Sequence, residues 1–173
     1  MNEVMKAILN RRSIRRFSDQ PVPDQVLEAL ADAAVHAPSG RGEKTWQFTV
    51  ISDREKIRKL ASVMAVELGR EGYNMYDPTA LIIPSNLRDS RFGKEDNACA
   101  LENIFLAAYS FGVGSCWINQ LQESCDIPGI RKILTEFGIP EDHVVYGMAA
   151  LGYAEGDGGS HPFVRKGQVN YIR

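Results

Sequence analysis

The sequence predicts an α+β or α/β fold in which helices cover a single layer of few, short strands. Three observations point there. Strand-type runs at Trp46–Ile51 and at residues 80–83, 115–118 and 144–151 alternate with segments of helical periodicity. One of those segments, residues 96–111, keeps little polar face, so it belongs at the centre of a domain or in a large subunit interface. The 173 residues are 44% hydrophobic and 24% charged, which is enough apolar side chain for a real core in one domain spanning 1–173.

Taken in order, a first helix is expected over Glu3–Asn10, with Val4, Ile8 and Leu9 on one face. The arginine-rich run 11–17 leaves it as a loop. Pro21-Val22-Pro23 punctuates, and Asp24 is placed to cap a second helix with the stripe Val26, Leu27, Leu30, Ala33, Ala34. That helix must stop before Pro38, because the residue preceding a proline is pushed out of the α region. Residues 37–42 form a loop whose two glycines let backbone amides approach a ligand.

Trp46–Ile51 alternates in strand fashion. Ser52 with Glu55 reads as a capping box opening a helix that turns Ile57, Leu60, Ala61, Met64 and Leu68 inward and stops at Gly69. Residues 80–83 form a short buried strand ended by Pro84, and 85–95, with Arg88, Arg91 and Phe92, a polar surface loop or helix lip. After the apolar helix, Gly112-Val113-Gly114 is a stop, 115–118 a strand, and 128–137 an amphipathic helix closed by Gly138 and Pro140. Residues 144–151 are the last core strand. A glycine-rich polar tail begins at Gly152.

A net charge of −2 argues against nucleic acid or an acidic membrane as main partner. No run approaches the roughly 20 apolar residues needed to span a bilayer, and the N-terminal residues lack the apolar run of a signal peptide. Cys99, Cys116 and Cys125 form no C-x-x-C pair and read as reduced thiols of a cytoplasmic protein. His36, His143 and His161 are too scattered to suggest a metal site.

The densest chemistry is Arg11-Arg12-Ser13-Ile14-Arg15-Arg16-Phe17. A guanidinium is a planar fork that meets phosphate oxygens two at a time and keeps its charge at any ordinary pH. Four of them with an interleaved hydroxyl favour an anion site over a solvated helix end. Elsewhere the structural readings are stronger. Gly112-Val113-Gly114 lacks the third glycine of a dinucleotide loop. Cys116 sits in an apolar context that suits packing better than nucleophilic attack. Asp96 and Glu102 fall on different helix faces, as solvated or capping groups rather than an acid–base pair, and His36 suits a helix C-terminus. No G-x-S-x-G, H-E-x-x-H or P-loop is present. An anion cradle without a self-sufficient catalytic group fits an enzyme whose cofactor carries the chemistry.

The run Arg11 to Phe17 resembles the R-R-S-x-R-x-F signature of the FMN-dependent nitroreductase family. Ala37-Pro38-Ser39-Gly40 with Trp46-Gln47-Phe48 is similar to the family's A-P-S-G/A-x-N-x-Q-P-W-x-F segment. Glu102-Asn103-Ile104-Phe105-Leu106-Ala107-Ala108 with Gly112-Val113-Gly114-Ser115-Cys116-Trp117-Ile118 resembles its Q-N-L-L-L-A-A…G-L-G-S-C-W-I helix and strand. Val144 to Tyr153, then Pro162 and Arg165-Lys166, resembles the closing strand and basic tail.

The resemblance implies an α+β, three-layer α-β-α fold with a central mixed sheet. It also implies an intertwined homodimer, with FMN at the subunit interface and a tail, about residues 154–173, reaching the partner. It assigns Arg11, Arg12 and Ser13 to the FMN phosphate and ribityl chain, and Arg15 to the pyrimidine edge. Pro38, Ser39 and Gly40 would approach the flavin from the partner subunit, Ile118, Asn119 and Gln120 would lie near N5, and Arg165 with Lys166 would reach the phosphate. Arg16 has no role in this scheme beyond solvation. The implied activity is ping-pong hydride transfer from NADH or NADPH through flavin N5 to nitroaromatics, quinones or similar acceptors. Dehalogenation, enone reduction, or flavin binding without turnover are the alternatives. The sequence departs from the family at Gly42, Lys44, Thr45 and Glu102, and the insert that roofs the site in larger members is reduced at 85–95.

Overall fold

A computed structural model describes residues 1–164 and 166–173. Helix α1 (Glu3–Asn10) starts where the Asn2 side chain accepts the Met5 N–H at 2.9 Å. It buries Ala7 alone and leaves Val4, Ile8 and Leu9 exposed. Helix α2 (Asp24–Val35) corrects one expected cap: Asp24 is the first helical residue behind Pro23, and no side chain caps the end. Helix α3 (Arg54–Glu67) corrects another, since Asp53 rather than Ser52 accepts the N–H groups of Glu55 and Lys56. Helix α4 (Gly93–Ser110) begins one turn earlier than expected, and α5 (Pro128–Glu136) opens with proline in its first turn. Among the described residues, no helix is long and apolar enough to cross a membrane.

Strand β1 (Trp46–Ile51) pairs antiparallel with β2 (Ala80–Leu87), which pairs with β5 (Met148–Gly152), and β5 with β3 (Gly114–Ile118). The two-residue β4 (His143–Val144) joins the far end of β2. All these pairings are antiparallel. Among the described residues, the parallel component of the expected mixed sheet is confined to an isolated bridge between Ser13 and Ser115.

Two strand boundaries differ from expectation. Strand β2 runs through Pro84 to Leu87 and absorbs Ser85 and Asn86, both buried, from the expected surface loop. Leu87 donates its N–H to Thr45 on the β1 side, so by alternation the Pro84 nitrogen faces the opposite edge. That edge is unpaired between Ile82, bound to β5, and Asn86, bound to β4, so the missing donor breaks no ladder bond. The expected strand 144–151 is likewise split into β4 and β5 around Val145, Tyr146 and Gly147.

Alternation along the strands divides the core. Leu81, Ile83, Cys116, Ile118, Met148 and Ala150 face α3 and α5, whereas Ala80, Ile82, Ala149 and Leu151 face α2 and α4. The result is three layers. Helix α4 buries Ala100, Leu101, Ile104, Phe105 and Ala108, and Asn103 ties it to α2 through the Ala33 carbonyl at 2.9 Å, but Glu95 and Glu102 are exposed and Leu106 and Tyr109 half-buried, so one subunit does not cover it all round as expected.

Candidate functional site

Residues 11–17 run extended between α1 and α2 and are held from two sides. Ile14 donates its N–H to Ser115 O on β3 at 2.9 Å, beside the Ser13 bridge. On the other side, the Arg15 and Arg16 N–H groups reach Gly158 O at 2.7 and 3.1 Å, and Phe17 bridges Ala154. Two glycines permit this. A Cβ on Gly114 would lie 2.9 Å from Ile14 Cγ1, and one on Gly158, at φ +62°, would lie 2.8 Å from Ile14 Cγ2. The zipped segment therefore carries residues 161–164 back over the arginines.

The product is a cleft of about 670 Å³ lined by Ile8, Leu9, Arg11, Arg12, Ser13, Arg15, His161, Pro162, Phe163 and Val164. Among the described residues, no carboxylate lines it. Arg12 donates to the Leu9 and Arg11 carbonyls at 2.9 and 2.7 Å, closing the end of α1, and its guanidinium lies 5.2 Å from the Phe163 ring centroid. Arg11 lies 5.9 Å from the Phe105 ring centroid and makes a loose 3.9 Å contact with the exposed Glu102. Arg16, expected to be merely solvated, is paired with Asp157, whose carboxylate is held low by the Gly159 N–H and by Arg16. That pairing withdraws one cation from the cluster and leaves Arg11, Arg12 and Arg15 half-buried around the cleft. The Cys116 thiol beneath is pushed up by burial, against the pull of Arg15 and Arg11, which keeps it protonated packing material.

The other expected site residues lie elsewhere on the subunit. Ser39 and Gly40 are fixed to the first turns of α4: Ser39 Oγ donates to Asp96 Oδ2 and the Gly40 N–H to Asp96 Oδ1, both at 2.8 Å. Ser39 Oγ also accepts the Lys44 N–H at 3.0 Å, and Pro38 is exposed beside them. Ile118 is buried in the sheet. Asn119 and Gln120 line a separate cleft of about 420 Å³ with Leu68, Arg70 and Ser124. Lys166 is exposed, and Arg165 lies outside the described residues. One subunit thus gathers Arg11, Arg12, Ser13 and Arg15 and keeps the 38–40 and 118–120 groups apart from them.

Three participants escaped the sequence reading. Asp96 is buried and organises the 39–44 loop rather than being solvated or capping its helix; it stands in the polar first turn of α4 beside Lys94, Glu95 and Asn97, so nothing local marks it as buried. His161 and Phe163 had no local signal, because they reach the arginines only through the pairing of 154–158 with 14–17.

The family model described as the nitroreductase family matches residues 8–153. A protein of Archaeoglobus fulgidus provisionally named NADH dehydrogenase/NAD(P)H nitroreductase is 34% identical over 157 residues, covering 88% of this chain and 86% of that protein. The FMN reductase (NADPH) of Bacillus subtilis is 28% identical over 98% of this chain and 73% of its own length. Among solved structures, a nitroreductase with bound FMN from Bacteroides fragilis superposes with a TM-score of 0.90 at 36% identity, with both chains fully covered. A fold likeness of TM-score 0.88 at 22% identity extends to a nitroreductase from Desulfitobacterium hafniense. With the family model covering most of its length and a relative above 30% identity over nearly nine tenths of it, the chain belongs to the nitroreductase family.

Proposed function

We propose that this protein is an FMN-dependent NAD(P)H oxidoreductase, a cytoplasmic homodimer that reduces nitroaromatics, quinones or similar electron-poor acceptors. The observation that carries the proposal is the carboxylate-free cleft in which Arg11, Arg12 and Arg15 meet Ser13 between apolar walls. Its volume lies within the range of small-ligand sites, and its charge suits a phosphate with a less polar body attached. The FMN-bound relative and the NADPH-dependent FMN reductase among the similar proteins support the same reading.

Bound FMN would supply the two-electron chemistry, accepting from a nicotinamide and donating to the acceptor at one shared face. The chain's own residues bind and tune. Arg11, Arg12 and Ser13 would hold the phosphate end, and Lys166 of the tail, with Arg165 outside the described residues, is proposed as a further phosphate contact. Arg15 would place positive charge at the pyrimidine edge, where it would favour negative charge on the ring. Pro38 with Ser39 and Gly40, the last two pinned by Asp96, would approach from a second copy, while Ile118, Asn119 and Gln120 would line the region near N5. The separation of these groups within one subunit supports a dimeric site, as do the exposed Val4, Ile8 and Leu9 of α1.

Anaerobic addition of NADH or NADPH to the yellow protein should bleach the flavin band, and a nitroaromatic or quinone should restore it. A flavin that neither nucleotide bleaches would leave a binding protein without turnover and overturn the enzymatic reading.

A further inference from the structure

We infer that Arg70 selects the acceptor: the cleft beside Asn119 and Gln120 favours electron-poor aromatics that carry a carboxylate over their neutral counterparts. The inference rests on the reading above that puts Asn119 and Gln120 near N5, and adds to it a residue and a substrate class.

Asn119 and Gln120 share their cleft of about 420 Å³ with Leu68, Arg70, Glu123 and Ile127. Leu68 and Ile127 offer apolar surface to a ring, the volume suits a one-ring aromatic, and Arg70 is the one cation of the lining. Local backbone chemistry fixes that arginine in place. Helix α3 is closed by Gly69 at φ +60°, a conformation open to glycine at little cost. The Gly69 N–H reaches Val66 O at 3.2 Å and the Arg70 N–H reaches Ala65 O at 2.8 Å, the paired bonds of a glycine-terminated helix. The Tyr73 N–H then donates to Arg70 O at 3.2 Å, so the arginine backbone is held on both sides. Its charge is felt at the Tyr73 phenol, which burial pushes up to about 12 and Arg70 pulls the other way.

That charge is not consumed within the subunit. Among the described residues, no ion pair involves Arg70 or Glu123. Glu67, at the end of α3, lines a different groove against α5. Glu123 is the one carboxylate of the lining and stands beyond ion-pair distance of Arg70. Two opposite charges held apart on one lining orient a singly charged acceptor: its carboxylate meets the guanidinium and avoids Glu123. The carboxylate takes no part in the reaction. The acceptor's nitro group takes up two electrons and two protons and becomes a nitroso group and water.

The test uses full-length FMN-loaded protein, native and with Arg70→Gln or Arg70→Lys. The probes are two molecules of one shape, para-nitrobenzoate and para-nitrobenzamide. Binding to the oxidised protein is read by calorimetry. Reoxidation of the photochemically reduced flavin, with no nucleotide present, is read by stopped-flow absorbance. Native protein should favour the carboxylate about fivefold in both readouts, the size of one solvent-exposed ion pair. The preference should fall to about one in Arg70→Gln, persist in Arg70→Lys, and shrink as added salt screens the charges. A native ratio of one, or an unchanged ratio in Arg70→Gln, would overturn the inference while leaving the flavin reading intact. So would an equal loss in Arg70→Gln and Arg70→Lys, which would make Arg70 a structural residue. Protein that holds no FMN, or reduced flavin that neither probe reoxidises, would overturn the functional reading itself.

Discussion

Each arginine of the 11–17 run has a different fate, and the differences are set by its neighbours. Arg16 is neutralised by Asp157, Arg12 is oriented by two backbone carbonyls and a phenyl ring, and Arg15 is anchored through its own N–H. Removing Arg12 deletes a charge-assisted contact of about 1.5–3 kcal/mol, so Arg12→Ala should weaken FMN binding by about 10- to 100-fold, measured by fluorescence titration. Arg16→Ala should leave FMN affinity within about twofold of native, because its charge is already spent on Asp157. Asp96→Ala would strand the Gly40 N–H and the Ser39 hydroxyl; a loss of about 2 kcal/mol in urea-unfolding free energy is expected. The cluster itself was legible, since its density announces an anion site. The buried role of Asp96 was not, because the partner that pulls a carboxylate into a core lies 57 residues away in the chain.

Among the elements, β1 matches its expected bounds because alternation and strand-forming residues agree there. The start of α3 was missed by one residue, since Ser52 and Asp53 are both competent caps and the carboxylate takes the bonds. Strand β2 was cut short because a proline normally ends a ladder; the gap that makes Pro84 harmless exists only once β4 and β5 are in place. Pro84→Val should accordingly change stability by less than about 1 kcal/mol. Ile83→Pro, on a residue whose N–H faces β1, should cost about 3 kcal/mol or more, read from the shift in urea midpoint. The contrast tests the register of the sheet directly.

At the scale of the molecule, two of the shifted titrations bear on stability in acid. His143, packed against Ser85 at 3.0 Å, is pushed below the ordinary imidazole value of 6.5 mainly by burial, with Arg131 adding to the shift and Asp142 opposing it. As pH falls through 6.5 the unfolded chain takes up this proton first, so stability should decline on acidification from pH 7.5 to 5.5; His143→Gln should flatten that slope. Asp126 is held at about 2, below its ordinary 3.8, by Arg88 and Arg131. Its contribution is complete above pH 3.8 and disappears as pH falls towards 2. Assembly is the second property at this scale. Both segments of the proposed site stand out in the sequence as motifs, but their separation within one subunit does not, because it depends on where α4 pins the 39–44 loop. Sedimentation should show a dimer, and replacing exposed Val4, which lies outside the cleft lining, by aspartate should yield monomers that lose FMN.

The central claim is that the arginine cleft is a phosphate-holding flavin site, and titration of flavin-free protein with FMN and riboflavin in parallel tests it most directly. FMN should saturate the native protein and bind at least about tenfold tighter than riboflavin, with that margin collapsing in a combined Arg11→Ala and Arg12→Ala variant. Absent FMN binding, or equal affinity for the two flavins, would contradict it.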